Sequence, residues 1–320
     1  MKCLQTFILC VLATSLFAQA QPNELTFTPH WLPQAQFAGY YVAQEKGFYA
    51  DEGIVVNIQH PSASVNAFQL LADKSADVIS LFMVTALQAR SDSFKIVNIA
   101  QLSQHSALMF VSHKKNGIEK LNQLDGKRIG IWKSGFDEVP KALIQSNNYE
   151  VEWVPILSSI NMFMIGGIDA MTVMWYNEYD QIINAGINPD ELNIFNFADY
   201  GCDVPEDGLY CLESTYLQRK PELEKFVEAT MLGWKYAKNN PDEALDIVLA
   251  EMKKAHIATN LTHQKWMLQC MLELIEPGTK NVKKGELAET DFHKTRNMLK
   301  ESNHINGNIS FDSFYKPVLK

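Results

Sequence analysis

Apolar and polar residues alternate through Leu25-Thr26-Phe27-Thr28, the period of a half-buried strand. Pro29 and Pro33 then confine the chain to a turn, and over 35–45 the period lengthens to that of a helix. Phe37, Tyr40, Tyr41, Gln44 and Phe48 fall near one face of it, and Gly47 stops it. A strand over 54–58 follows, so this opening predicts a βαβ unit whose right-handed crossover lays the helix on the sheet. The rhythm continues with a helix through Leu70-Leu71, a strand over 77–81, a helical stretch to Arg90, and strands over 96–100 and 107–112. A polar turn, His113-Lys114-Lys115-Asn116-Gly117, is the first candidate crossing between lobes.

A second series starts there. Strands are expected over 127–132, 151–156, 170–174 and 192–197. Helices are expected from 137, with Pro140 in the first turn, and over 179–185, stopped by Gly186. An apolar strand returns at 207–212, and the remainder is helical. Leu223, Phe226, Val227, Thr230, Met231, Trp234 and Ala237 form one stripe at helical spacing, with further helices from 241 and over 266–275 and 286–301. Strands alternating with helices predict an α/β fold with mostly parallel, covered sheets. The order α/β, crossing, α/β, return, helices is that of two lobes joined by two crossover strands. Lobe one is expected over 21–110 with 210–320 and lobe two over 111–209, with a ligand cleft between them that closes by hinge motion.

Composition narrows the class. At 320 residues, 47% hydrophobic and 20% charged, the chain has a core for about two domains and is not of the disordered type. Residues 1–20 have the form of a signal peptide: Lys2, an apolar run over 7–17, and Ala18-Gln19-Ala20 as a small-x-small cleavage pattern. The run is too short for a membrane span. The expected mature protein is therefore periplasmic, soluble and monomeric. Loss of Lys2 with the leader moves the formal charge from −9 to −10. An acidic chain without basic clusters argues against nucleic acid and anionic membrane as partners. Cys202, Cys211 and Cys270 remain, without metal-ligand spacing; export permits a Cys202–Cys211 bridge, with small buried thiols as the alternative.

Catalytic patterns are missing: there is no His-Glu-x-x-His, no paired Cys-x-x-Cys and no Gly-x-Ser-x-Gly. Glu206-Asp207 is expected to be a pair of loop charges, and His256 and His263 to be surface or packing residues. No catalytic residue, metal or cofactor is expected. Binding chemistry is better represented. The turn His30-Trp31-Leu32-Pro33-Gln34-Ala35-Gln36 sits at the carboxyl end of a strand, where open α/β sheets bind ligands. Trp31 can stack on a flat ring or pack into the sheet edge. Gln34 and Gln36 offer neutral donors and acceptors, or lie in solvent. Phe37, Tyr40 and Ser80 complete the candidate set in this lobe. Trp132, Ser134, Gly135 and Phe136 occupy the equivalent strand end in lobe two, and Trp175-Tyr176-Asn177-Glu178 a third. These aromatics, amide and acid suit a flat, amine-bearing ligand, though Trp175 can equally be core.

The stretch from Trp31-Leu32-Pro33-Gln34 through Gly39-Tyr40-Tyr41 to Gly47-Phe48-Tyr49 resembles the opening of the thiamine-pyrimidine-synthase-like solute-binding proteins. Leu124-Asp125-Gly126-Lys127, Asn177-Glu178 and Asn240-Pro241-Asp242-Glu243-Ala244 extend the likeness over most of residues 24–250. The resemblance implies a type II periplasmic-binding-protein fold and a receptor that passes its small-molecule ligand to an ABC permease in the inner membrane. The implied ligand is a small flat heterocycle such as a thiamine pyrimidine precursor. His30, Gln34 and Phe37 stand where the pyrimidine binders resemble Asp, Asn and His. The family also holds riboflavin receptors and fungal synthases, and this version of the motif resembles modules fused to membrane sensors. Ligand sensing for a membrane kinase or cyclase, alkanesulfonate binding and pyrimidine synthesis are the competing functions.

Overall fold

A computed structural model describes residues 23–62, 64–132, 137–157 and 159–319. The expected leader lies outside the described residues. The first lobe opens with β1 (Asn23–Thr28), α1 (Ala38–Glu45), α2 (Phe48–Asp51), β2 (Ile54–Ile58) and α3 (Ala67–Ala72). It continues with β3 (Val78–Phe82), α4 (Met83–Ser91) and β4 (Ile96–Gln101). β5 (Leu108–His113) enters the second lobe, followed by β6 (Arg128–Trp132), α5 (Glu138–Ser146), β7 (Glu152–Ile156) and α6 (Asn161–Met164). Then come β8 (Ala170–Met174), α7 (Glu178–Asn184) and β9 (Leu192–Asn196). β10 (Asp207–Leu212) returns to the first lobe, and α8 (Glu213–Asn239), α9 (Pro241–Lys254), α10 (Leu261–Leu274), α11 (Glu289–Glu301) and α12 (Phe311–Phe314) complete it.

The strands form two five-stranded sheets, ordered β2-β1-β3-β10-β4 and β7-β6-β8-β5-β9. Each sheet holds one antiparallel strand, β10 in the first and β5 in the second, and each is the first strand built after the chain crosses between lobes. The two sheets thus repeat one topology. The central strands β3, β5 and β8 are buried along their whole length, as their apolar runs require, and so is β4 at the edge of the first sheet. Edge strand β2 instead hides Ile54 and Val56 and exposes Val55 and Asn57.

The crossings lie earlier than the sequence pattern placed them. Leu108, Met109 and Phe110 pair with Met174, Val173 and Thr172 of the second sheet, so the chain leaves the first sheet after Gln101, not near 110 or at 113–117. On the return, Asp207 already pairs with Phe82. The apolar run over 107–112 carries no mark of which sheet it joins; hydrogen-bond register decides that. The crossings run side by side: Leu102 and Ser103 N–H both donate to Asp207 O, and the Glu206 carboxylate accepts from Ser106 Oγ and Ala107 N at 2.9 and 2.8 Å.

Helix α8 packs along α1 in the first lobe, and α10 reaches from the turn before α1 to α7 of the second. The expected helix over 286–301 begins only at Glu289, and of the two alternatives for the cysteines the structure shows buried thiols: Cys202, Cys211 and Cys270 are free and buried. In place of a crosslink, the thiols fill core positions.

Candidate ligand-binding cleft

The cleft is built at the carboxyl ends of parallel strands, where side chains of both sheets converge. His30, Trp31, Gln34 and Gln36 follow β1, and Phe82 ends β3. Across from them, Trp132 ends β6, Met174 ends β8, and Tyr176, Asn177 and Glu178 run on from it. Together they line a cleft of about 420 Å³ with its open mouth included.

One wall is a hydrogen-bonded chain. Gln34 Nε2 donates to Gln36 Oε1 at 2.7 Å, and Gln36 Nε2 donates to Asp207 Oδ2 at 2.9 Å. Ser80 Oγ accepts the His30 main-chain N–H at 2.9 Å and lies 2.7 Å from His30 Nδ1, so it fixes the imidazole. His30 Nε2 is 3.8 Å from Asp207 Oδ1. Burial, aided by nearby His60, holds the His30 pKa down to about 3, so this approach joins a neutral imidazole to a carboxyl and is no ion pair. The opposite wall carries Glu178, whose carboxylate accepts from Met174 N at 3.0 Å and Asn177 Nδ2 at 3.1 Å.

Burial dominates the acids as well. It raises Glu178 and Asp207 to about 7 and Glu206 to about 8, with Gln36 pulling Asp207 back and Asp207 pushing Glu206 further. A carboxyl raised in this way stabilises the fold fully below its unfolded value of about 4 and loses that contribution as pH rises through 7 to 8. His30 acts in the other sense: its lowered pKa costs stability only as pH falls below 6.5 towards 3. The melting temperature of the unliganded protein is therefore expected to fall between about pH 6.5 and about pH 8.5. Scanning calorimetry checks this; a flat or rising trend would mean that these acids are solvated.

The structure brings Trp31, Gln34, Gln36, Trp132, Tyr176, Asn177 and Glu178 to one cleft. It does not bring the rest of the candidate set there. Phe37 is fully buried behind His30, meeting it edge-on with ring centres 5.4 Å apart. Tyr40 is buried between Phe27 and Trp234. Tyr40 is on the face that α1 turns to the core and Phe37 immediately precedes that helix, so both support the turn. Ser80 is buried and orients His30. Trp175 lies on a separate groove with Tyr179 and Ile194, and its carbonyl accepts from Trp266 Nε1 at 3.0 Å. Ser134, Gly135 and Phe136 lie outside the described residues.

Some cleft residues escaped the sequence reading. Phe82 and Met174 have apolar side chains that match core positions; their signal is that each is the last residue of its strand. Glu206 and Asp207 are buried, contrary to their expected place among solvated loop charges. Asp207 is the first residue of an apolar central strand, and an acid in that position has to be paired or neutral. His263 packs between the lobes, with Nδ1 2.7 Å from Asp180 Oδ2 and Nε2 3.2 Å from Asn177 Oδ1. Among the described residues no Lys or Arg lines the cleft, no group of His, Cys, Asp and Glu could hold a metal ion, and no helix is long and apolar enough to cross a membrane.

Comparison with known proteins agrees with this architecture. A family model described as NMT1/THI5 like matches residues 34–244. The formylaminopyrimidine-binding protein of Halalkalibacterium halodurans is 24% identical over 255 residues, 77% of this chain and 76% of that protein. The riboflavin-binding protein RibY of Chloroflexus aurantiacus is 26% identical over 272 residues, 79% and 73% of the two chains. The periplasmic aliphatic sulphonate binding protein SsuA from Escherichia coli superposes with a TM-score of 0.70 over 93% of both chains, at 11% identity. The fold is that of the periplasmic binding proteins, with two α/β lobes.

Proposed function

This chain belongs to the NMT1/THI5-like family, and on that premise we propose that it is a solute-binding protein for a small, flat, amine-bearing heterocycle. The ligand class is that of the thiamine pyrimidine precursors. The observation that carries this reading is the make-up of the cleft. An indole from each lobe, Trp31 and Trp132, stands at a space whose polar groups are neutral amides, a neutral imidazole and the Glu178 carboxyl. Indole faces attract flat rings, and a buried carboxyl paired only to N–H donors favours a ligand that brings further donors or positive charge. A sulfonate favours cationic groups, and the cleft lining holds Glu178 and, among the described residues, no Lys or Arg.

The protein works in the periplasm. It closes its lobes on the ring and hands it to an ABC permease of the inner membrane. Native mass spectrometry of protein purified without refolding tests the ligand class. The expected result is a noncovalent adduct of one small heterocycle per chain, released on unfolding. A sulfonate or a sugar in its place would contradict the reading.

A further inference from the structure

Helix α10 belongs to the first lobe, yet it touches both walls of the cleft. Its carboxyl end is tied to the first crossover, where Gln104 N donates to Leu274 O at 2.7 Å. Its amino end lies beside the Trp31 turn, where Ala35 N donates to Gln264 Oε1. From the same helix two side chains reach the second lobe. Trp266 Nε1 donates to Trp175 O, and His263 sets Nδ1 2.7 Å from Asp180 Oδ2 and Nε2 3.2 Å from Asn177 Oδ1. Trp175, Asn177 and Asp180 all follow β8, on the segment that gives Tyr176, Asn177 and Glu178 to the cleft. The side chains of His263 and Asp180 are nearly buried, 12% and 10% exposed.

Position along the helix gives this contact leverage. At 1.5 Å of rise per residue, His263 sits about 16 Å from the crossover end of α10. Opening about the crossovers therefore moves Leu274 little and His263 far, and a hydrogen bond is gone by about 3.6 Å. The contact also orients the cleft. Asn177 Nδ2 donates to Glu178 Oε1 and Asn177 Oδ1 accepts from Gln181 Nε2, so its oxygen is the atom turned to His263. Asp180 Oδ2 accepts too, from Asn184 Nδ2 as well as the ring, and a ring that serves both acceptors carries a proton on each nitrogen. Buried polar pairs of this kind contribute little net stability over apolar contacts of the same size, so what they decide is which arrangement the lobes take. We propose that His263 is a positioning residue of the ligand site: from the amino end of α10 it clasps the second lobe, holding the closed arrangement and setting the Asn177–Glu178 pair. The inference rests on the cleft being a ligand site that closes by hinge motion, and it names the contact that sets how much of the protein is closed before ligand arrives. Affinity follows, because apparent affinity scales with the fraction in the competent arrangement.

His263→Phe keeps a flat ring at this position and removes both nitrogens, and Asp180→Ala breaks the contact from the other lobe. Small-angle X-ray scattering of the unliganded full chain reads closure, and far-UV circular dichroism reports that each variant is folded; either folded variant alone decides. Both are expected to show a larger radius of gyration than the wild type, and the double variant no further increase, since the two changes remove one contact. Hydroxymethylpyrimidine, titrated by calorimetry, is expected to bind both at least about tenfold more weakly, the loss when the closed fraction falls to about a tenth. At saturation it is expected to return them to the wild-type radius. An unchanged radius in a folded variant, even with a lowered melting temperature, makes His263 a packing residue and overturns the proposal. A larger radius with undiminished affinity overturns it too. If hydroxymethylpyrimidine gives no heat with the wild type, that counts against the ring reading alone, and the unliganded radii decide the clasp.

Discussion

Trp31→Ala is expected to weaken binding of the cleft ligand by about 1–3 kcal/mol, the loss typical of a buried aromatic at the centre of a contact. Trp31 is 37% exposed, beside an exposed Leu32, whereas Ala35, Gln36 and Phe37 of the same turn are buried and pack against α10. Its neighbours explain why it stays open. His60 Nδ1 lies 2.7 Å from the Trp31 carbonyl, and the Ala35 N–H donates to Gln264 Oε1 at 2.8 Å, so the backbone is fixed and the ring is presented. A ligand stacked there would bury surface now facing solvent. Trp132→Ala, in the other lobe, is expected to cost a similar amount. Trp175→Phe is the control, since Trp175 packs on Trp266 away from the cleft, with ring centres 6.1 Å apart. Calorimetry on the three variants separates these roles. An unchanged affinity in Trp31→Ala, or a loss in Trp175→Phe equal to it, would mean that the ring sits elsewhere.

The second large effect is on stability. A Cβ at Gly233 would lie 2.0 Å from Gly39 O and 2.9 Å from Ala43 Cβ, and one at Gly39 would lie 2.4 Å from the Trp234 ring. Helices α1 and α8 therefore touch backbone to backbone, and a carbonyl cannot swing aside as a side-chain tip can. Gly233→Ala is expected to cost about 3 kcal/mol or more of overpacking, set against a helix-propensity gain of about 1 kcal/mol. The net loss of about 2 kcal/mol is measurable by urea denaturation. A neutral or stabilised variant, as propensity alone would give, would contradict the close approach. The same contact explains Gly39 within the Gln36-Phe37-Ala38-Gly39-Tyr40-Tyr41 stretch. It serves the packing of α1 on α8, while the turn before α1 rests on α10.

Much of the fold was legible because local periods carry it. Alternation marked β1, the stripe from Leu223 to Ala237 marked α8, and the strand–helix order implied two α/β lobes. Which sheet a fully apolar strand joins is not a local property. Hence β5 was divided between lobes, although all of it pairs within the second sheet. The cleft was legible where polarity broke the pattern at a strand end, as at Trp31, Gln34, Trp132, Asn177 and Glu178. It failed where a side chain's chemistry suited both core and cleft. Phe37 and Tyr40 share helical spacing with core residues and went to the core, whereas Phe82 and Met174 look like core and face the ligand space. Asp207 marks the same limit from the other side: residue type says solvent, but its place at the head of a central strand forces burial beside Gln36.

The central claim is that the cleft is shaped and charged for a flat, donor-bearing heterocycle and not for an anion. The most direct test is calorimetric titration of the purified protein with formylaminopyrimidine, hydroxymethylpyrimidine, thiamine and riboflavin, each alongside ethanesulfonate. Saturable one-to-one binding of at least one heterocycle, with no heat from ethanesulfonate, is the predicted result. Binding of ethanesulfonate with no response to any of the four rings would contradict it.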